Sequence, residues 1–168
     1  MRYFIGLGAN LGDRLTTLRQ AADRIAALGT LVARSRVFAA SAVGGPPQPP
    51  FLNAAVLLEC PLEPLALLAH TQEIEDAFGR DRRNEVRWGP RTLDIDIICV
   101  AGERSDDPDL TLPHPRAHER AFVLAPWHDV DPDAVLPGHG PVADLLARVD
   151  KAGVRRSDLP LVLQEAGS

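Results

Sequence analysis

Two aspartates, Asp94 and Asp96, sit in the run Arg87-Trp88-Gly89-Pro90-Arg91-Thr92-Leu93-Asp94-Ile95-Asp96-Ile97. If this run is a strand, its side chains alternate, so Leu93, Ile95 and Ile97 take one face and both carboxylates the other, with Cα atoms about 7 Å apart. Like charges that close raise each other's pKa unless a cation intervenes, and hard oxygen ligands suit a Mg²⁺ that also binds substrate phosphates. Taken alone, such a pair is more often solvated on the open face of an amphipathic strand. Its neighbours reverse that reading. Between Arg80 and Arg91 stand five arginines (Arg80, Arg82, Arg83, Arg87, Arg91) against Asp81 and Glu85, a local +3 in a chain of net charge −5. Guanidinium forks match phosphate oxygens, and arginine with Mg²⁺ is what a transferring phosphoryl group needs as its charge redistributes.

Other residues carry weaker signals. Phe51 and Asn53, two apart in an apolar strand, share a face on which an aromatic can stack and an amide can match the edge of a polar heterocycle. His114 and His118 have metal-ligand spacing only if helical. Pro115 stands between them and no third ligand is evident, so His114 reads better as a donor to a phosphate oxygen near the arginines. Gly6-Leu7-Gly8-Ala9-Asn10-Leu11-Gly12 departs from the dinucleotide fingerprint in its third glycine and lacks a downstream ribose-binding acid, which leaves a tight strand-to-helix turn.

The elements that must position these residues follow from periodicity. Arg2 to Leu7 reads as a strand, and Leu15, Leu18, Ala22 and Ile25 as a helix between Asp13 as N-cap and Gly29 as stop. Leu31 to Phe38 is expected as one strand with Arg34 and Arg36 on one face, and Phe51 to Cys60 as another, with the stiff stretch 44–50 between them. A helix over about 62–78 tolerates Pro64 in its first turn, and a strand covers about 92–100. Turns and short helices follow over 112–127, then a final amphipathic helix marked by Val142, Leu145, Leu146 and Val149. The order β-α-β-β-α-β predicts an α+β, ferredoxin-like antiparallel sheet in three layers, α/β/α.

Composition bounds the rest. The chain's 168 residues, 45 % of them hydrophobic, suit one domain, 1–168, with the packing of the tail 151–168, loose or docked, left open. No apolar run reaches the roughly 20 residues of a membrane span and the N-terminus lacks signal-peptide character, so a soluble, cytoplasmic protein is expected. Cys60 and Cys99 read as buried reduced thiols. The net negative charge and confined basic patch argue against a nucleic-acid partner, and the only lysine, Lys151, lies far from any glycine-rich loop.

The chain resembles the 6-hydroxymethyl-7,8-dihydropterin pyrophosphokinase family. The resemblance runs from Gly6-Leu7-Gly8-Ala9-Asn10-Leu11-Gly12-Asp13 through Phe51-Leu52-Asn53-Ala54-Ala55 and Gln72-Glu73-Ile74-Glu75 to the Arg87–Asp96 run and Leu112-Pro113-His114-Pro115-Arg116. It implies transfer of pyrophosphate from ATP to the hydroxymethyl group of the pterin, releasing AMP, in folate biosynthesis. It also implies that Asp94 and Asp96 hold two Mg²⁺ ions with ATP, and that Arg82 (with Arg83 as the alternative) and Arg91 act on the transferred group. Phe51, Asn53 and Phe122 would hold the pterin, with backbone contacts near Val43 and Gly44. Gln72, Glu75, Arg87, Trp88, Arg91, Ile97, His114 and Arg120 would line or support the ATP site. The chain departs from the family at Ala9, where a serine is usual, and over Ala40–Gly44, where a Thr/Ser-Pro turn is common; the second departure bears on pterin affinity. A monomer acting on small molecules is expected. A non-catalytic nucleotide-binding module and a Mg²⁺-dependent hydrolase are the competing readings, separated by whether AMP formation requires the pterin.

Overall fold

Alternation organises the first strand. The computed structural model describes residues 1–40, 50–79, 92–151 and 153–161. In β1 (Arg2–Ala9), Tyr3, Ile5, Leu7 and Ala9 are buried toward one face and Phe4 toward the other. Gly12 takes a positive φ to make the turn, and the Asp13 carboxylate then accepts the Thr16 backbone N–H and hydroxyl, capping α1 (Arg14–Ala26). Leu18, Ala21, Ala22 and Ile25 form that helix's buried stripe. Gly29 follows not for its φ but for space: a Cβ there would overlap the Glu59 carbonyl and the Cys60 side chain.

The single strand expected over 31–38 is two, β2 (Thr30–Arg34) and β3 (Arg36–Ala40). Buried Ser35 interrupts it: its N–H donates to the Ala55 carbonyl, its Oγ accepts the Ala55 N–H, and its hydroxyl donates to the Arg36 carbonyl. A side chain thus replaces part of the ladder and the pairing with β4 (Phe51–Glu59) steps. Arg34 turns to Asp23 on α1, whereas the Arg36 N–H donates to Asp129 across the sheet.

The chain continues through α2 (Pro64–Ala77), β5 (Asp94–Val100), the hairpin β6 (Ser105–Asp107) and β7 (Leu110–Leu112), and a 3-10 turn (Ala117–Glu119). Then come α3 (Ala121–Val130), the short pair β8 (Val135–Leu136) and β9 (Gly140–Pro141), α4 (Val142–Arg148) and β10 (Val154–Pro160).

The main sheet is antiparallel, in the order β10-β3-β4-β1-β5, with β2 also on β4. Its β1-to-β5 part has the expected ferredoxin-like α+β arrangement. Helices α1 and α2 fill one face through Leu18, Ile25, Leu67 and Ile74. On the other, α3 and α4 bring Val123, Leu124, Trp127, Val142 and Leu145 onto Phe4, Leu57, Ile98 and Cys99, with Phe4 and Trp127 stacked at 4.3 Å.

Part of the tail docks on the sheet. Residues 154–160 pair with β3; Ser157 donates to the Val37 carbonyl and Arg19 to that of Pro160. Cys60 and Cys99 are free and buried, and burial pushes the Cys99 thiol pKa up. No helix of the described residues is long and apolar enough to cross a membrane.

The close approach at Gly29 is testable. Gly29→Ala should destabilise the fold by about 1–3 kcal/mol, measured as a shift in the midpoint of urea unfolding, because the nearest obstructing atom, the Glu59 carbonyl oxygen, belongs to the backbone.

Candidate active site

The two faces of β5 divide as alternation demands. Leu93, Ile95 and Ile97 are buried in the core beneath α1 and α2, and Asp94 and Asp96 are half-exposed on the opposite face. Directly across from them on β1 stand two glycines: Gly8 pairs with Asp94 and Gly6 with Asp96. On its other side Gly8 pairs with Asn53 of β4. A Cβ built on Gly8 would meet Asn53 Oδ1 at 3.0 Å and Phe51 Cδ1 at 3.6 Å, so Phe51 and Asn53 share the face of the carboxylates. Asn53, Gly8 and Asp94 therefore form one row across three strands, with no side chain in the middle.

Asn53 is 6 % exposed, and its Nδ2 is buried with no hydrogen-bond partner among the described residues. Leaving such a donor unmade costs about 1–3 kcal/mol, a cost a ligand with an acceptor edge would remove. Phe122, half-buried in α3, packs on the core of the same face.

Arg120 joins the 3-10 turn to α3. Its N–H donates to the Ala117 carbonyl, and its own carbonyl accepts the N–H groups of Val123 and Leu124. Its guanidinium lies over the Phe122 ring at 5.6 Å. Burial lowers its pKa from the ordinary guanidinium value, while the nearby Asp96 and, more weakly, Asp94 oppose that shift.

His114 is tied to β5 through its N–H on the Ile98 carbonyl. Burial, then Arg120 and Arg116, lower its pKa to about 4. The imidazole is neutral near pH 7, and its Nδ1 accepts the Arg116 N–H. The proton therefore sits on Nε2, which can donate to an anion. His118 is not a helical neighbour of His114; it stacks on His139 at 4.0 Å.

Glu75 stands on α2 beside β5. It is 3 % exposed, and its Oε2 accepts the Ile95 N–H at 2.9 Å, between the two aspartates. It props the outer edge of β5, so it supports the carboxylates through the backbone. Gln72 is exposed on α2, the helix packed on the face opposite Asp94 and Asp96. Ile97 points into that same core, so only its backbone can meet a ligand. Arg82, Arg83, Arg87, Trp88, Arg91, Val43 and Gly44 lie outside the described residues.

Sequence reasoning placed Gly6 within the expected strand 2–7 and Gly8 in the turn after it, and gave neither a role of its own. Both belong to the central strand, and their two-residue spacing was the available signal, since glycine within a strand often marks close approach of a ligand.

Comparison with known proteins decides the kinship. The family model for 7,8-dihydro-6-hydroxymethylpterin-pyrophosphokinase (HPPK) matches residues 4–132. The chain belongs to the HPPK family. It is 41 % identical over 157 residues to the 2-amino-4-hydroxy-6-hydroxymethyldihydropteridine pyrophosphokinase of Methylorubrum extorquens, covering 92 % of this chain and 98 % of that one. The protein of the same name from Bacillus subtilis is 45 % identical over 129 residues, 76 % of each chain. Among solved structures, Plasmodium falciparum HPPK-DHPS with pterin and p-hydrobenzoate matches with a TM-score of 0.65 at 13 % identity, over 87 % of this chain. The chain spans 44 % of that longer one, and the likeness bears on fold alone.

Two consequences of this geometry can be measured. Glu75→Ala should leave the Ile95 N–H without its acceptor, costing about 1–3 kcal/mol and speeding Ile95 amide exchange. Glu75→Gln, which keeps a carbonyl oxygen, should cost less. The lowered pKa of His114 means the fold favours the neutral ring, whereas an unfolded histidine titrates near 6.5. Its contribution is full above that value and lost as pH falls toward about 4. The Tm of wild type should therefore fall faster than that of His114→Asn across this window.

Proposed function

We propose that the chain transfers pyrophosphate from ATP to the hydroxymethyl oxygen of 6-hydroxymethyl-7,8-dihydropterin in folate biosynthesis, using the row Asn53, Gly8 and Asp94 as its platform. The supporting observation is that row: an orphaned amide donor and a pair of carboxylates share one face across a bare strand. The orphaned Nδ2 of Asn53 suits an acceptor on the edge of the pterin, with Phe51 and Phe122 as its aromatic neighbours and backbone near Val43 and Gly44 completing the pocket.

Asp94 and Asp96 fit Mg²⁺ in the way this ion binds with nucleotides, through one or two carboxylates and substrate phosphates rather than an all-protein cage. Two ions held there with ATP would offset the negative charge of the triphosphate. Arg82 and Arg91 steady the migrating group, and Arg87, Trp88, Gln72, Arg120 and the Ile97 backbone serve the nucleotide. The protonated Nε2 of His114 donates to a phosphate oxygen. The pterin hydroxyl attacks the β-phosphorus, the bond from that phosphorus to the α,β-bridging oxygen breaks, AMP leaves and the hydroxyl proton is released. Little covalent chemistry falls to the protein; it orients both substrates and keeps water from the reacting phosphorus. On this reading the enzyme works as a cytoplasmic monomer.

The test is formation of AMP with the pterin diphosphate, followed chromatographically with ATP and Mg²⁺ present. Omission of the pterin should stop AMP formation, and Asp94→Ala and Asp96→Ala should each lower kcat by roughly 10²-fold or more with an unchanged circular dichroism spectrum. AMP formed equally without the pterin, or near-normal rates in both variants, would overturn the reading.

A further inference from the structure

We propose that His139 is a positioning residue for the nucleotide: from the turn between β8 and β9, its ring holds the 3-10 turn that sets the direction of Arg120. The proposal rests on the reading of Arg120 as a nucleotide-side group and adds a residue that acts through it.

Arg120 stands at a joint. Its φ of −111° and ψ of 104° are extended, with the 3-10 turn on one side and α3 on the other. Neither segment has a side-chain hydrogen bond at its N-terminus, so no cap fixes the angle between them. The guanidinium nevertheless has a defined place, over the Phe122 ring and close enough to Asp96 to feel its charge. The segment that delivers it must therefore be held from elsewhere.

Backbone bonds supply its spacing. The Ala117 N–H donates to the His114 carbonyl and the Arg120 N–H to the Ala117 carbonyl, each at 3.2 Å, so a short ladder links the two residues assigned to the phosphates. Ala117 is fully buried in the core shared with α3 and α4. One buried methyl group pins the turn at a point and leaves rotation about that point open. The ion pair of Arg116 with Glu119 lies within the segment and is exposed on both sides, so it does not tie the turn to the rest of the fold.

His118 supplies the second point. Its ring stacks on that of His139 at 4.0 Å, with 11° between the planes. Its Nδ1 is buried with no hydrogen-bond partner among the described residues, and its Nε2 lies 3.5 Å from Glu119 of the same turn. Neither nitrogen is bonded beyond the turn among the described residues, so its directed contact with another element is the stack. The partner ring is held in turn. Gly138 and Gly140, on either side of His139, take φ of 81° and 104°, values that favour glycine and fold the hairpin tightly. The His139 N–H donates to the Leu136 carbonyl, and Leu136 and Val142 at the base of the hairpin are fully buried. His139 itself is exposed, so the core makes no use of its ring.

A stacked ring pair is a modest contact, so His139→Ala should raise the Kd for a fluorescent ATP analogue with Mg²⁺ roughly three- to tenfold. The pterin KM at saturating ATP should stay within about twofold of wild type, and the circular dichroism spectrum should not change. His139→Phe, which keeps a ring to stack, should restore the affinity. With Arg120→Ala already in place, adding His139→Ala should cost nothing further, since the group it positions is gone. An unchanged Kd in His139→Ala, an equal loss in His139→Phe, or a His139→Ala loss that persists in the Arg120→Ala background would each overturn the assignment. Should His139→Ala fail to fold, His139→Leu, which keeps bulk without a planar ring, takes its place with the same outcomes. A protein that makes AMP and pterin diphosphate yet fails these tests refutes the role of His139 alone. One that binds the analogue but makes neither product refutes the proposed function, and the binding arms still decide His139; one that does not bind the analogue refutes both.

Discussion

Everything in the site depends on the in-register pairing of β1 with β4 and β5. Side chains alternate with a period of two, so one register fixes which residues share a face across all three strands. Pairing of Gly8 with both Asn53 and Asp94 brings an amide and a carboxylate to one side of the sheet. A slip of one residue would bury both beneath α1 and α2. The apolar partners Tyr3, Ile5, Leu7, Ala54, Val56, Ile95 and Ile97 oppose such a slip, because each would leave the core at once. The hydrophobic effect thus positions polar groups that it never touches.

The two faces are used unequally. One is filled along its length by α1 and α2. On the other, α3 and α4 bury the half holding Phe4, Leu57 and Cys99, while the half holding Asn53, Gly8 and the aspartates is the candidate site. Arg120 and His114 stand near that boundary, anchored by backbone hydrogen bonds. Partial burial sets their electrostatic character: the imidazole stays neutral near pH 7, and the guanidinium feels the acids beside it. Charge is arranged before any ligand arrives, which is how a site that moves phosphoryl groups limits its reorganisation.

The carboxylate pair, the shared face of Phe51 and Asn53, the N-cap at Asp13 and the ferredoxin-like order were legible in the sequence, because each follows from alternation or local capping chemistry. Features that depend on distant partners were not. Gly8 and Ala9 read as the turn after the strand, since only pairing on both sides extends β1 that far. Ser35 gave no sign that its hydroxyl would displace a ladder bond to Ala55. Nor did Glu75, expected to line or support the nucleotide site, show that its carboxylate would accept the Ile95 N–H at the sheet edge. The packing of the tail could not be read either, because it depends on the edge of β3 that Val154–Pro160 joins.

A bulge in β5 separates two jobs within one strand. Phe4 pairs with Cys99 and Ile5 with Ile97, so Ile98 is supernumerary and the pleat changes phase beyond it. Upstream, the phase aims Asp94 and Asp96; downstream, Ile98 and Cys99 both pack beneath α3 and α4, and Val100 returns to the opposite core. The anchoring end can thus be repacked or lengthened without rotating the acids, so natural drift in the hairpin that follows β5 is insulated from the chemistry.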